Sequence, residues 1–131
     1  MLKITKKVEY ALISLVHLSD EEGACNSSAK KIAHEYDIPT EILAKILQNL
    51  SSLGIIKSIQ GPKGGYQISC NINEINIFEF IEMIEGPIGI VDCTLPNGCT
   101  SESCCTIKDP MSRINNKIID TLKDITLDQL R

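Results

Sequence analysis

A mainly helical chain with one small β-hairpin is what the sequence predicts, and three patterns predict it. Apolar residues recur at three- and four-residue spacing in several separate stretches, two short β-type runs flank a glycine-rich tip, and a cysteine-rich stretch separates the last helical pattern from the rest. The 131 residues are 43% hydrophobic and 23% charged, which suits one domain, or a domain with an appendage, and argues against wholesale disorder. No apolar run approaches the ~20 residues of a membrane span. Residues 1–20 carry spaced rather than continuous apolar positions, unlike a secretory leader. A cytoplasmic location with no membrane partner is expected, and the Asn26-Ser27-Ser28 sequon then carries no meaning.

Residues 5–19 read as an amphipathic helix, with Val8, Leu12, Leu15 and Val16 at helical spacing. The loop at 26–28 supplies an N-cap for a short helix over 29–36, with Ile32 and Ala33 inward. A tight connection at 37–40 leads to a third helix over about 41–53. Its predicted buried stripe is Ile42, Leu43, Ile46, Leu47, Leu50 and Leu53, and Gly54 is placed to end it. Short strands are expected at 55–59 and 66–70, joined by Gln60-Gly61-Pro62-Lys63-Gly64-Gly65. Asn76 followed by Glu79 resembles a capping box, opening a helix that Gly86-Pro87 stops. Residues 88–106 read as a loop. Asp109 as N-cap with Pro110 at the first helical position predicts a last long helix to about residue 123, carrying Met111, Ile114, Ile118, Ile119, Leu122 and, just beyond it, Ile125 at 3-4 spacing. Thr126 is placed to cap a final turn with Leu127 and Leu130.

Helix, short helix, tight turn, helix and two-stranded hairpin form the winged variant of helix-turn-helix. The expected organisation is a winged-helix DNA-binding domain over residues 1–85, a cysteine-rich loop over 86–108, and a C-terminal dimerisation helix and turn over 109–131. A helix has the diameter to enter the major groove, and a glycine-rich tip brings backbone N–H groups close to phosphates, with Lys63 adding charge. Glycines at the tip are equally what an ordinary tight turn uses. Charge leans the same way: residues 1–70 hold eight Lys against seven acids, whereas 71–131 hold five basic residues against ten acidic ones. Neither a Walker pattern nor Gly-x-Gly-x-x-Gly occurs, and no acid–base constellation or substrate-pocket motif is visible. A non-enzymatic chain without a small-molecule substrate is expected.

Six cysteines in a reducing compartment point to metal or redox chemistry before disulfides. Cys25 and Cys70 stand alone, whereas Cys93, Cys99, Cys104 and Cys105 fall within 13 residues. Cys93-x5-Cys99-x5-Cys105 is the regular spacing, with Cys104 as the alternative third thiol. Clustered thiolates select zinc, copper(I) or iron–sulfur. A Cys-x-x-Cys zinc knuckle is missing, and the wide spacing leaves the chain free to wrap something larger than one ion. A ligand-free loop and a thiol–disulfide sensor at Cys104 or Cys105 are the other possibilities.

The start Met1-Leu2-Lys3-Ile4-Thr5-Lys6-Lys7-Val8-Glu9-Tyr10-Ala11, the run Leu53-Gly54-Ile55-Ile56-Lys57-Ser58, the wing Gly61-Pro62-Lys63-Gly64-Gly65-Tyr66 and the three spaced cysteines together resemble the bacterial IscR/NsrR-type winged-helix repressors, over essentially the whole chain. The resemblance implies a homodimer that binds a double-stranded DNA operator and holds an iron–sulfur cluster in each cysteine loop, 2Fe-2S favoured and 4Fe-4S possible. It also implies a carboxylate from the other chain's first helix as fourth ligand, for which Glu9 stands at the matching position. The histidine beyond the third cysteine of IscR is absent. Carried over by position, Ser28, Thr40, Glu41, Ala44, Lys45 and Gln48 face DNA, and Gln60, Lys63, Gly64 and Gly65 meet it at the wing. Ala44 replaces a glutamate that governs site choice in IscR, and Gln60 replaces a wing arginine, so the IscR operator is not assumed. The implied function is a repressor whose DNA affinity follows Fe–S or iron status, oxygen or nitric oxide. Its rivals are a cluster-free regulator controlled by a protein or metabolite partner, and a zinc or thiol redox switch.

Overall fold

Thr5 opens the first helix by accepting the Val8 N–H on its hydroxyl and the Glu9 N–H on its carbonyl. In the computed structural model, which describes residues 3–20 and 26–130, this helix is α1, Lys6–Asp20. It is followed by α2 (Ala29–Glu35), α3 (Thr40–Ser52), β1 (Ile56–Ile59), β2 (Gly65–Ile68), α4 (Ile77–Glu85) and α5 (Lys108–Lys123). Cys25 lies outside the described residues. The chain divides into two compact units, Ile4–Ile72 and Asn73–Gln129. Helix α4, which the sequence grouped with the residues before 86, falls in the second unit with α5.

The first unit is three helices and a hairpin. Its core is Val8, Ala11, Leu15 and Leu18 from α1, Ile32 and Ala33 from α2, Leu43, Ile46, Leu47 and Leu50 from α3, together with Ile38, Ile55 and Ile56. Fully burying each of the Val, Leu and Ile side chains among them stabilises by about 1.5–3 kcal/mol before conformational entropy is counted. Two sequence expectations change. On α1 the buried face is turned, so that Leu12 and Val16 are half-buried while Ser14 and His17 are buried. Ser14 is tolerated there because its hydroxyl donates back to the Tyr10 carbonyl at 2.8 Å. On α3, Ile42 and Leu53 are exposed at 48% and 39%. They lie at the two ends of the Leu43–Leu50 stripe, in the first turn and just past the last.

Gly54 follows α3 with φ +79, and its N–H donates to the Ser51 carbonyl, as expected of a residue terminating a helix in the left-handed region. β1 and β2 pair antiparallel from Ile56↔Ile68 to Ile59↔Gly65.

In the second unit Asn76 caps α4, its side chain accepting the Glu79 N–H at 2.9 Å. Ile77, Phe80 and Ile84 are buried, and the Ile77 N–H donates to the Ile125 carbonyl while Leu127 donates to Ile75. The last helix begins at Lys108, two residues before the expected Pro110, and its N-cap is Ile107 without a side-chain hydrogen bond. Pro110 fits because the first N–H groups of a helix have no intrahelical partner, and the ladder starts at the next residue with Met111 N–H to the Ile107 carbonyl. Along α5 the buried residue is polar, Asn115, while Met111, Ile118, Ile119 and Leu122 are half-buried and Ile114 is 47% exposed. Among the described residues no helix is long and apolar enough to cross a membrane.

Candidate metal centre and nucleic-acid interface

The cysteine loop is shaped by local turns. A 3-10 turn at Asp92–Thr94 is closed by the Thr94 hydroxyl and N–H, both donating to the Val91 carbonyl. A second runs over Glu102–Cys104. The loop is tied to α5 where Ile90 N–H donates to Asn115 Oδ1 at 3.0 Å. This explains a polar side chain buried in the apolar spacing of α5: it satisfies a loop N–H that would otherwise be unpaired.

These turns bring Cys93, Cys99 and Cys105 to one open cavity of about 390 Å³. Ile90, Val91, Ile107 and Met111 supply its apolar wall, with Asp92 and Lys108 beside them. Cys104 does not line it, and its thiol donates instead to the Ser101 carbonyl at 3.5 Å. Cys93 is half-buried and Cys99, Cys104 and Cys105 are exposed. Among the described residues no three His, Cys, Asp or Glu side chains converge tightly enough to hold one metal ion. Three cysteines lining one open cavity are a donor set that fits a thiolate-bound metal group. Cys70 stands apart, and burial raises its thiol above the usual range.

Glu9 lies on the first turn of α1, half-buried, with Oε2 accepting from Lys6 Nζ at 2.7 Å. That carboxylate raises the Lys6 ammonium pKa, first by the hydrogen bond and then by its charge.

The residues carried over to DNA lie on α2, α3 and the hairpin. Ser28 caps α2, accepting the Lys31 N–H at 3.2 Å, and is exposed. Thr40, Glu41, Lys45 and Gln48 are exposed on α3, and Ala44 is half-buried. At the tip Gln60 and Lys63 are exposed, while Gly64 and Gly65 are half-buried. The hairpin is attached to the segment before α2: Ser27 and Tyr66 exchange backbone hydrogen bonds of 3.3 and 2.8 Å, and Asn26 Nδ2 donates to the Lys63 carbonyl at 3.2 Å. Gly65 is needed for that attachment, since a Cβ there would stand 2.6 Å from Ser27 C and 2.9 Å from Ser28 N.

Sequence reasoning missed Asn115 and the link from Ser27 to Tyr66. The first leaves one signal, a polar residue at apolar spacing four positions after Met111. The second leaves none, because it joins residues 39 positions apart.

The Rrf2 family, described as an iron-dependent transcriptional regulator, matches residues 4–131. The chain is 29% identical over 131 residues to the HTH-type transcriptional regulator NsrR of Bacillus subtilis, covering 98% of this chain and 90% of that one. It is 27% identical over 131 residues to the HTH-type transcriptional regulator IscR of Pectobacterium carotovorum, covering 98% and 79%. Among solved structures it is similar to CymR, the global cysteine regulator of B. subtilis, with a TM-score of 0.78 and 28% identity over 99% of this chain and 96% of that one. A winged helix with this hairpin and a match over nearly its full length place the molecule: the chain belongs to the Rrf2 family of transcriptional regulators, and it is not an enzyme.

Proposed function

We propose that the chain is a homodimeric repressor whose affinity for a DNA operator is controlled by an iron–sulfur cluster, 2Fe-2S favoured, held by Cys93, Cys99 and Cys105. One observation carries this: the three regularly spaced thiols line one cavity while the adjacent Cys104 is bonded elsewhere. The description of the family as iron-dependent and the similarity to NsrR and IscR support it. When bound, such a cluster supplies a centre that reacts with oxygen, nitric oxide and electrons.

The chain's own residues do the rest. Glu9 of a second copy is the proposed fourth ligand. Glu9, Leu12 and Val16 form a half-buried row along α1 at positions i, i+3 and i+7, a face suited to covering by another chain. The apolar residues of α5, none of them buried, supply the dimer contact. Ligation by Glu9 then holds α1 of one copy against the loop of the other and favours one spacing of the two α3 helices. Two half-sites about one helical turn apart are the corresponding operator geometry. Thr40, Glu41, Ala44, Lys45 and Gln48 face the major groove, with Ser28, Gln60, Lys63, Gly64 and Gly65 on the backbone.

The test is anaerobic reconstitution with iron and sulfide, followed by absorption and metal counts. Wild type is expected to take up iron and labile sulfide in equal amounts with visible absorption, Cys99→Ala to lose the absorption, and Cys104→Ala to keep it. A colourless wild-type protein that still binds DNA tightly refutes cluster control. It would favour a second reading, control by thiol chemistry or by a protein or metabolite partner, which the adjacent exposed Cys104 and Cys105 and the similarity to CymR support.

A further inference from the structure

His17 takes no part in the site proposed above, yet it is buried at 7% exposure within the first unit. A buried imidazole costs desolvation that a Leu or Phe at this core position would avoid, so its hydrogen bonds must return something. Nε2 lies 2.9 Å from Ser27 Oγ and Nδ1 3.1 Å from the Tyr36 hydroxyl, with Glu35 Oε2 3.7 Å from Nδ1. The Tyr36 ring meets the imidazole edge-on, with centroids 5.5 Å apart. Because Ser and Tyr hydroxyls both donate and accept, either tautomer satisfies both nitrogens.

Ser27 is the junction of the DNA-facing parts. Its side chain is fully buried, its backbone pairs with Tyr66 of β2, its carbonyl carbon is what Gly65 packs against, and the next residue caps α2. One ring on α1 therefore hydrogen-bonds the residue to which both the start of α2 and the wing are joined.

We propose that His17 is a positioning residue for DNA binding: its hydrogen bond to Ser27 sets the start of α2 and the wing in the geometry that meets the phosphate backbone. This rests on the proposed placement of Ser28 and Lys63 against DNA.

The full chain and a short random-sequence duplex suffice to test it. His17→Phe keeps an aromatic ring and removes both hydrogen bonds, and Ser27→Ala removes the shared one with little change in volume. Both are expected to stay folded, to weaken duplex binding roughly three- to tenfold, and to flatten the salt dependence by about one phosphate contact. The double variant should lose little more than the worse single one. In both singles the Tyr66 N–H should exchange faster with solvent. Leu15→Ala, which opens the same core without touching Ser27, should lower the thermal midpoint and leave the salt slope alone. An unchanged slope in Ser27→Ala, or an equal change in Leu15→Ala, overturns the proposal. An unchanged slope in Lys63→Ala overturns instead the placement of the wing on which it rests.

Discussion

The two units of the chain bury their apolar residues to very different degrees. Among the described residues, thirteen of the seventeen buried apolar side chains lie in Ile4–Ile72 and four in Asn73–Gln129, where the longest helix buries none of its own. The first unit satisfies most of its hydrophobic pattern internally. The second carries a helix whose regular apolar pattern its own unit covers only in part, and a loop whose cysteines line a cavity rather than a core. The difference teaches that one hydrophobic pattern can serve two ends: in α3 it specifies a fold, and in α5 it is the face proposed above for the dimer contact.

Substitutions can break or sharpen this contrast. The largest effect is expected in the first unit, where Leu47→Ala removes a fully buried side chain and should cost about 2–5 kcal/mol in urea unfolding. An equally large loss of monomer stability from Ile118→Ala, on the half-buried face of α5, would erase the contrast. Next in size, Ile118→Glu should weaken self-association by about 2 kcal/mol, read by sedimentation at several concentrations. A sedimentation profile identical to wild type would remove α5 from the dimer contact. The smallest effect is expected at the wing tip, where Lys63→Ala should reduce the salt slope of duplex binding by about one and weaken all sequences alike. A change confined to sequence preference would mean that Lys63 reads bases.

Much of the first unit was legible because local rules and global packing agree there. The stripe of Leu43, Ile46, Leu47 and Leu50, the terminating Gly54 and the glycine-rich turn lie in sequence where they act in space. The rotation of α1 was less legible. Leu12 and Val16 match helical spacing as well as Ala11 and Leu18 do, and only the neighbouring helices decide which face is covered. The start of α5 departs from its local signal: Asp-Pro is a common opening, whereas here the helix takes the proline into its first turn without losing a hydrogen bond.

At the candidate centre the spacing of Cys93, Cys99 and Cys105 is a property of the chain, readable without coordinates. That these three, and not Cys104, line one cavity is not: Cys104 and Cys105 are adjacent, and a turn closing on the Ser101 carbonyl separates their directions.

Periodicity, caps and turn residues act over a few positions, so the sequence by itself determined the order of elements, the winged hairpin and the clustering of thiols. Only the tertiary structure decided which thiols face a common space, that Asn115 holds the loop to α5, and that His17 reaches Ser27. These are contacts between segments whose separation along the chain has no bearing on their separation in space, and they arise only when packed elements bring polar groups within hydrogen-bond reach.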